Sequence, residues 1–405
     1  MAILFADVTA VTMDPAQGVI PHAYVVVEGT KIRSVSTQRP WGSFEEQIDG
    51  QGNVLMPGFV NAHSHVPMTA MRGYGDGNNL QDWLHNYIFP VEARWDDRAI
   101  RACTDLGLAE MIASGVTCVA DMYMHTGTIA EQILEAGISA NLSCGGVYFG
   151  APEDFSPETC NDCRNQQELT EQWHGAGEGQ ILVDASIHAE YTSNPPLWQW
   201  MADYAAAHDL GMQVHISETR LEHESCLEKY GKTPVALLDQ YGVWERGGTA
   251  AHCVWVTDED MALMAQKHIT AVHNPVSNLK LGSGVARVPQ LLKAGVNVAL
   301  GTDGVSSNNN CDLFEEIKKA LNGKVKDVKV NPTLQDHPVS LSSEGGISME
   351  MEKILRKMPA GGEGMESTKV LELNPNHAVF GALKAAHEAG DTDKINKYSA
   401  LLYAQ

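Results

Sequence analysis

Histidines and acids of the types that serve metal-assisted hydrolysis recur at the ends of apolar runs in this chain. The run Val54-Leu55-Met56-Pro57-Gly58-Phe59-Val60 leads into Asn61-Ala62-His63-Ser64-His65. On a strand, residues i and i+2 share a face, so the imidazoles of His63 and His65 project together. Two neutral imidazoles aimed at one point suit a zinc-like cation. His215, His252 and Asp303 each close another apolar, strand-like run, the position at which barrel enzymes place their chemistry. A zinc site takes three or four such ligands and keeps a position open for water. Glu218 follows His215 by three residues and is a candidate proton shuttle beside that water. Asp303, in Leu300-Gly301-Thr302-Asp303-Gly304, can bind a metal and accept a proton from the attacking water. His252, in Ala251-His252-Cys253, can hydrogen-bond the same water or the charge that develops.

These residues need a scaffold of alternating elements. Residues 1–56 read as short strands and turns (Ala2–Phe5, Val8–Val11, Ala23–Val27, Ile32–Val35), too small a sheet to stand alone and so part of a small β-sandwich. From Pro57 strands alternate with helical stretches. Helices over Arg98–Ala113 and Ile129–Glu135 end at Gly115 and Gly137, and strands follow at Val116–Asp121, Ile138–Ser143, Ile181–Ile187, Gly211–Ile216, Gly248–Ala251, Ile269–Val272 and Val296–Leu300. With Val54–Val60 these make eight β units, which predicts an α/β fold of the (β/α)8 TIM-barrel type rather than an open doubly wound sheet. No GxGxxG or P-loop follows any strand, so nucleotide-cofactor folds lack support.

Composition narrows the function further. The 405 residues carry a formal charge of −23 and a pI near 5.0. Such a chain has no cationic surface to release counterions from phosphates, so nucleic acid is not an expected partner. No apolar run approaches the ~20 residues of a membrane span, and the N-terminal stretch lacks a basic signal-peptide region. The expectation is a cytoplasmic protein whose eight scattered cysteines stay reduced. Cys160-Asn161-Asp162-Cys163 is a lone CxxC without a second pair and reads as coincidence.

Taken as a set, PGFVNAHSHVPMTAMRG (57–73), LQDWL (80–84), SIHAEYTSN (186–194), QVHISET (213–219), AAHCVWV (250–256), HNPVSNLKLGSG (273–284) and LGTDGVSSNN (300–309) resemble the amidohydrolase superfamily, nearest to its 5′-methylthioadenosine/S-adenosylhomocysteine deaminase branch. The resemblance covers about residues 1–314, with the barrel expected at 57–314. It implies one Zn²⁺ per chain held by His63, His65, His215 and Asp303. It implies that Glu218 protonates the ring nitrogen beside the attacked carbon, that His252 and Asp303 orient the attacking hydroxide, and that ammonia leaves. It implies substrate contacts from Glu92 (ribose hydroxyls), His188 and Trp83. The implied partner is a small heterocyclic substrate of the methylthioadenosine, adenosine or S-adenosylhomocysteine type, and a homo-oligomer stays open. Two-metal members carry a carboxylated lysine at the fourth strand's end; Asp184-Ala185-Ser186-Ile187-His188-Ala189 has none, which favours a single metal.

Two departures matter. Where deaminases of this branch carry an arginine, Cys144 stands in Leu142-Ser143-Cys144-Gly145-Gly146. An arginine fork is the natural partner of a carboxylate, so S-adenosylhomocysteine becomes a poorer expectation than methylthioadenosine or adenosine. From about Phe314 onward, GKVKDVKV (323–330), HPVSLSSEGGISMEMEKIL (337–355), VLELNPNHAVFGALKAA (370–386) and YSALLYAQ (398–405) instead resemble the C-terminal domain of the bacterial ninety-kilodalton heat-shock chaperone. Lysines also become dense there, at Lys318, Lys319, Lys324, Lys326 and Lys329. The chain thus reads as a fusion joined near Asp312–Leu321, with an α+β segment at 315–405 and an N-terminal sandwich left incomplete. The alternatives to a deaminase are a hydrolase that removes another group from a heterocycle, and a non-catalytic chimera acting as an interaction module.

Overall fold

The structure, a computed structural model, describes residues 2–320, 327–330, 339–344 and 368–373. The chain divides into two compact units, Met1–Pro57 with Ala320–Gln405, and Gly58–Lys319.

In the first unit, β1 (Ala2–Val11), β2 (Val19–Glu28), β3 (Lys31–Ser36), β4 (Glu46–Asp49) and β5 (Val54–Leu55) form one sheet in the order β3-β2-β1-β4, with β5 also on β1. The alternation at Ala2–Phe5 and Val8–Val11 predicts two strands, and the structure joins them. Register shifts against β2 flank Val8, and Asp7 between the runs takes φ 55°, so a bulge interrupts the pattern without ending the strand. Strand β4 escapes a reading by hydrophobic pattern because all four of its residues are exposed. Parallel backbone pairing with β1, Ile3 to Glu46 through Ala6 to Asp49, makes it a strand.

The second unit carries the barrel strands: β6 (Phe59–His65), β7 (Val116–Met122), β8 (Ser139–Ser143), β9 (Ile181–Val183), β10 (Ala185–Ser186), β11 (Met212–Ile216), β12 (Gly248–His252), β13 (Ile269–His273), β14 (Asn297–Leu300) and β15 (Asp303–Gly304). They pair in the orders β15-β6-β7-β8-β9 and β10-β11-β12-β13-β14. Strands β9 and β10 are two pieces of the single run Ile181–Ser186, and β14 and β15 belong to the run that ends at Gly304. The fourth run therefore pairs with β8 through its first piece and with β11 through its second, and the eighth run returns to β6 at Asp303–Ser64 and Gly304–His65. All pairings are parallel, which gives eight strand runs around an α/β barrel with helices between them. Splitting of the fourth run at Asp184 has a local cause, since its carboxylate takes hydrogen bonds from Asn141 (2.6 Å) and Gln213 (3.5 Å) on the strands to either side.

The predicted run Val54–Val60 also divides, with Val54–Leu55 pairing with β1 and Phe59–His65 opening the barrel. Helices Asp97–Ala113, Thr126–Ala136 and Pro195–His208 lie between barrel strands; Gly137 ends one of them at φ 76°, a left-handed cap that glycine adopts without a Cβ penalty. The helix Leu313–Ala320 closes the unit. Leu313 is buried, Phe314 sits edge-on to Phe59 at 4.9 Å, and Glu316 accepts from the Val276 N–H (3.1 Å) and from Asn308.

Beyond Ala320 three strands are described: β16 (Asp327–Val330), β17 (Val339–Glu344) and β18 (Thr368–Leu373). Strand β18 is central, parallel to β16 and antiparallel to β17. Most of the chaperone-like motifs of the sequence lie outside the described residues. Among the described residues no helix is long and apolar enough to cross a membrane.

Candidate active site

Strand alternation places His63 and His65 on one face of β6 and turns Ser64 away, its hydroxyl donating to the Ala120 carbonyl (3.0 Å). Two of the histidines that reach the centre are oriented by their other nitrogen. His65 Nδ1 lies 2.6 Å from the Met122 carbonyl and His215 Nδ1 lies 2.7 Å from the His188 carbonyl. A carbonyl only accepts, so both Nδ1 atoms carry a hydrogen, and this bond turns each Nε2 toward the centre. Those two Nε2 atoms face each other at 3.3 Å. His63 Nε2 is buried with no hydrogen-bond partner. Asp303 brings Oδ1 to 3.4 Å from His63 Nε2 and 3.2 Å from His65 Nε2, while its Oδ2 is occupied by the hydroxyls of Ser277 (2.5 Å) and Ser307 (3.0 Å).

The ligand atoms of His63, His65, His215 and Asp303 all lie within 4.8 Å of one another. Three imidazole nitrogens and a carboxylate oxygen turned to one point form a donor set that demands positive charge at its centre. The same demand appears in the proton equilibria. Burial opposes a charge on His65, but the hydrogen bond and charge of Asp303 outweigh it and lift this imidazole to about 9, whereas burial holds His63 down at about 4. Asp303 stays well below the usual carboxylate range because the adjacent imidazoles of His63 and His65 outweigh its burial. Three imidazoles and one carboxylate fit a divalent cation.

Glu218 lies beside this cluster. Its Oε1 accepts from Ser283 (2.9 Å) and its Oε2 is 3.7 Å from His252 Nε2. Burial raises its carboxyl above the usual range, offset in part by His252, which suits a group that must hold and release a proton near neutrality. His252 Nδ1 lies 2.8 Å from Asn278 Oδ1, so the Nδ1 hydrogen is donated there and Nε2 turns to the cluster with its lone pair. The backbone is strained at these strand ends: Ser217, His252, Cys253 and Asp303 have φ of 47°, 72°, 49° and 59°. Left-handed φ on side chains of this size clusters where geometry is held for function.

One cavity of about 410 Å³ joins these groups to the remaining residues singled out in the sequence; Trp83, Glu92 and His188 line it together with His65, His215, Glu218, His252 and Asp303. Trp83 and Glu92 come from a helical segment that runs Leu80–Trp83, then a π-turn Leu84–Ile88, then Phe89–Glu92. Pro90 supplies no N–H to the turn before it, and the wider turn there brings Trp83, Leu84, Ile88, Phe89 and Glu92 to the cavity. Glu92 Oε1 accepts from the Tyr123 hydroxyl at 2.6 Å, and burial raises its carboxyl. His188 is held down at about 3, by burial first and then by the neighbouring histidines, so it is neutral at pH 7. Its Nδ1 lies 3.1 Å from Thr192 Oγ1.

The amidohydrolase family model matches residues 54–336. A 5-methylthioadenosine/S-adenosylhomocysteine deaminase of Syntrophomonas wolfei is 34% identical over 403 residues, 98% of this chain and 92% of that protein. The chain belongs to the amidohydrolase family. A 5′-deoxyadenosine deaminase of Methanococcoides burtonii is 39% identical over 318 residues, 78% of this chain and 73% of that protein. Among solved structures, an adenosine deaminase from Xanthomonas campestris with bound zinc superposes with a TM-score of 0.71 at 30% identity, covering 78% of this chain and 72% of that one. A second family model, Hsp90 protein, matches 302–405, so the amidohydrolase and chaperone matches overlap over 302–336.

Several residues of this amidohydrolase site carry no role in the sequence reading. Asn278 and Ser283 orient His252 and Glu218, and both sit in HNPVSNLKLGSG, a motif already prominent as a resemblance. Ser277 and Ser307 hold Asp303. Tyr123 fixes Glu92 and directly follows β7, a strand-end position that was the available signal. Cys144 also lines the cavity; burial pushes its thiol up to about 12, and its Sγ lies 3.4 Å from Gln166 Oε1. The cavity wall otherwise includes Asp162, Val147, Phe149, Tyr191 and Leu281, and among the described residues no lysine or arginine lines it.

Proposed function

We propose that this chain is a zinc-dependent aminohydrolase, with one Zn²⁺ per chain, that converts an adenosine-like nucleoside to its 6-oxo form with release of ammonia. The observation that carries this reading is the convergence of His63, His65, His215 and Asp303 beside the buried Glu218 in a cavity whose remaining lining is mostly apolar. Zinc held by those four ligands would supply a Lewis acid that acidifies water at the open position. His252, through Nε2, and Asp303, through Oδ1, orient the attacking oxygen and take up its proton. Glu218 delivers a proton to the ring nitrogen beside the attacked carbon. A C–O bond forms, the exocyclic C–N bond breaks, and the amine leaves as ammonia with a proton returned through the same carboxyl.

The rest of the lining binds and orients. Glu92, its Oε1 held by Tyr123, receives the ribose hydroxyls. Neutral His188 hydrogen-bonds the base, and Trp83 with Phe89 and Leu84 covers its faces and excludes water. The absence of a cation from the lining and the presence of Asp162 favour a neutral 5′-substituent, as in methylthioadenosine or adenosine, over the amino-acid carboxylate of S-adenosylhomocysteine. All eight cysteines are free thiols, which suits a reducing, cytoplasmic setting. We place the change from amidohydrolase to chaperone-like sequence at Asp312–Leu321, with 1–56, 57–314 and 315–405 as its three segments.

The test is a nucleoside panel scored for ammonia with zinc-loaded protein. Wild type should release ammonia from methylthioadenosine or adenosine. Glu218→Gln should keep its zinc and lose about 10²–10⁴ in kcat. No ammonia from any 6-aminopurine nucleoside with zinc bound would overturn the deaminase reading.

A further inference from the structure

Behind Glu218 lies a second buried acid that the mechanism does not use. Glu222, in the first turn of the helix Arg220–Tyr230, forms a capping box with Thr219. A capping box needs only one backbone N–H on the acid. This carboxylate collects three: Oε1 accepts from Ser217 (2.5 Å), and Oε2 accepts from Glu218 (2.8 Å) and Thr219 (3.3 Å). Those N–H groups are the turn that carries Glu218, and Ser217 within it has the left-handed φ of 47°. A non-glycine residue meets steric opposition in that conformation, so the turn needs an outside hold.

Glu222 in turn meets Glu190, which follows His188 by two residues in the turn Glu190–Thr192. Glu190 is 3% exposed, its buried Oε2 has no hydrogen-bond partner, and its carboxyl neighbours that of Glu222, which raises it. Among the described residues no lysine or arginine forms an ion pair with either acid. Two buried carboxylates in contact hold one proton between them. The three N–H donors favour the anion on Glu222, which leaves Glu190 as the acid that donates to it. Burial, the largest cause for both, raises the two carboxyls, and the Thr219, Glu218 and Ser217 N–H groups pull Glu222 back toward the anion.

We propose that Glu222 and Glu190 are positioning residues for the proton shuttle: Glu222 fixes the Ser217–Thr219 turn that aims Glu218, and Glu190 ties that turn to the turn carrying His188. The strand ends after β10 and β11, one presenting a substrate contact and the other the proton shuttle, then move as a single block. The proposal rests on the reading of Glu218 as the shuttle.

The experiment compares zinc-loaded, full-length Glu222→Ala, Glu190→Ala, Glu190→Gln and Glu218→Gln in steady-state deamination, with zinc content measured for each. Glu222→Ala should lose kcat on the order of 100-fold, the effect of a reacting group misplaced by about 1 Å, with KM and zinc content close to wild type. Glu190→Gln, whose amide N–H still donates to Glu222, should restore most of the kcat that Glu190→Ala loses. A wild-type kcat in Glu222→Ala, or Glu190→Gln as impaired as Glu190→Ala, would overturn the proposal. If Glu222→Ala fails to fold, the Glu190 pair decides alone. An active Glu218→Gln would remove the shuttle reading itself; an inactive Glu218→Gln beside normal Glu222 and Glu190 variants would remove only this inference.

Discussion

The metal side of the cavity and the remainder of its lining are built on different principles. On the metal side, His63, His65, His215, Asp303, Glu218 and His252 come from strand ends, and almost every polar atom that does not face the centre has a named partner. Left-handed backbone at Ser217, His252 and Asp303 is tolerated there because neighbouring strands over-determine it. The remaining lining comes from connecting segments, Leu80–Glu92 after β6 and Cys144–Phe149 after β8, and is mostly apolar, with Glu92 and Asp162 as its charged members. Rigid strand ends carry chemistry that tolerates little displacement, and connecting segments carry recognition that can vary. The contrast predicts that changes on the metal side act on turnover and changes elsewhere in the lining act on substrate choice.

Removing ligands should have the largest effect. His63→Ala with His65→Ala should take bound zinc from about one per chain to near none and abolish ammonia release, with metal content and activity measured on the same preparation. Substantial zinc in that variant would break the comparison, since it would place the metal elsewhere. Next in size, Glu92→Ala should raise KM for methylthioadenosine by about 10-fold, the loss of one to two charged hydrogen bonds, while kcat changes less and zinc is retained. A fall in kcat alone would move Glu92 to the chemical side.

A smaller effect is expected for charge discrimination. Methylthioadenosine should exceed S-adenosylhomocysteine in kcat/KM by roughly 10-fold, because a carboxylate entering this lining meets no cation, and Asp162→Asn should narrow the gap. A preference for S-adenosylhomocysteine would sink this point and show that residues outside the cavity lining supply the positive charge.

The smallest effect belongs to a buried carboxyl outside the cavity, which serves as a control for both sides. Burial pushes Glu316 up from 4.5 to about 8. The folded state then retains a proton that the unfolded chain has lost, so stability falls as pH rises from about 4.5 to 8. Glu316→Gln should flatten that decline in denaturation midpoints taken at pH 5 and pH 8, and leave the zinc-loaded kcat near wild type. An unchanged pH slope would show that Glu316 is ionised in the fold.

The grouping of His63, His65, His215 and Asp303 was legible because strand periodicity is local. His-x-His on a strand must share a face, and residues that close apolar runs must cluster where parallel strands end. The eight strand runs and the helices between them followed from the same logic. Strand β4 was not legible, because its four exposed residues carry no burial pattern. The division of Val54–Val60 between two sheets was hidden too, since an apolar run does not say which neighbour it pairs with. Asn278, Ser283 and Ser277 lay in quoted motifs without a role, because a hydrogen bond to a side chain tens of residues away leaves no periodic trace; Ser307 bonds Asp303 from only four residues away, but across a turn that carries no period.

By itself the sequence determined the fold class, the types of residue at each strand end and the family they resemble, all of which follow from local pattern and side-chain chemistry. Only the tertiary structure decided which nitrogen of each histidine faces the centre, which oxygen of Asp303 remains free, and that Glu222 and Glu190 meet behind Glu218. Those facts depend on strand pairing: the return of the last barrel strand to β6 brings residues 63 and 303 together, and the pairing of β10 with β11 brings the turns of 190 and 222 together. Burial then makes every unmatched polar atom costly enough to fix a single arrangement.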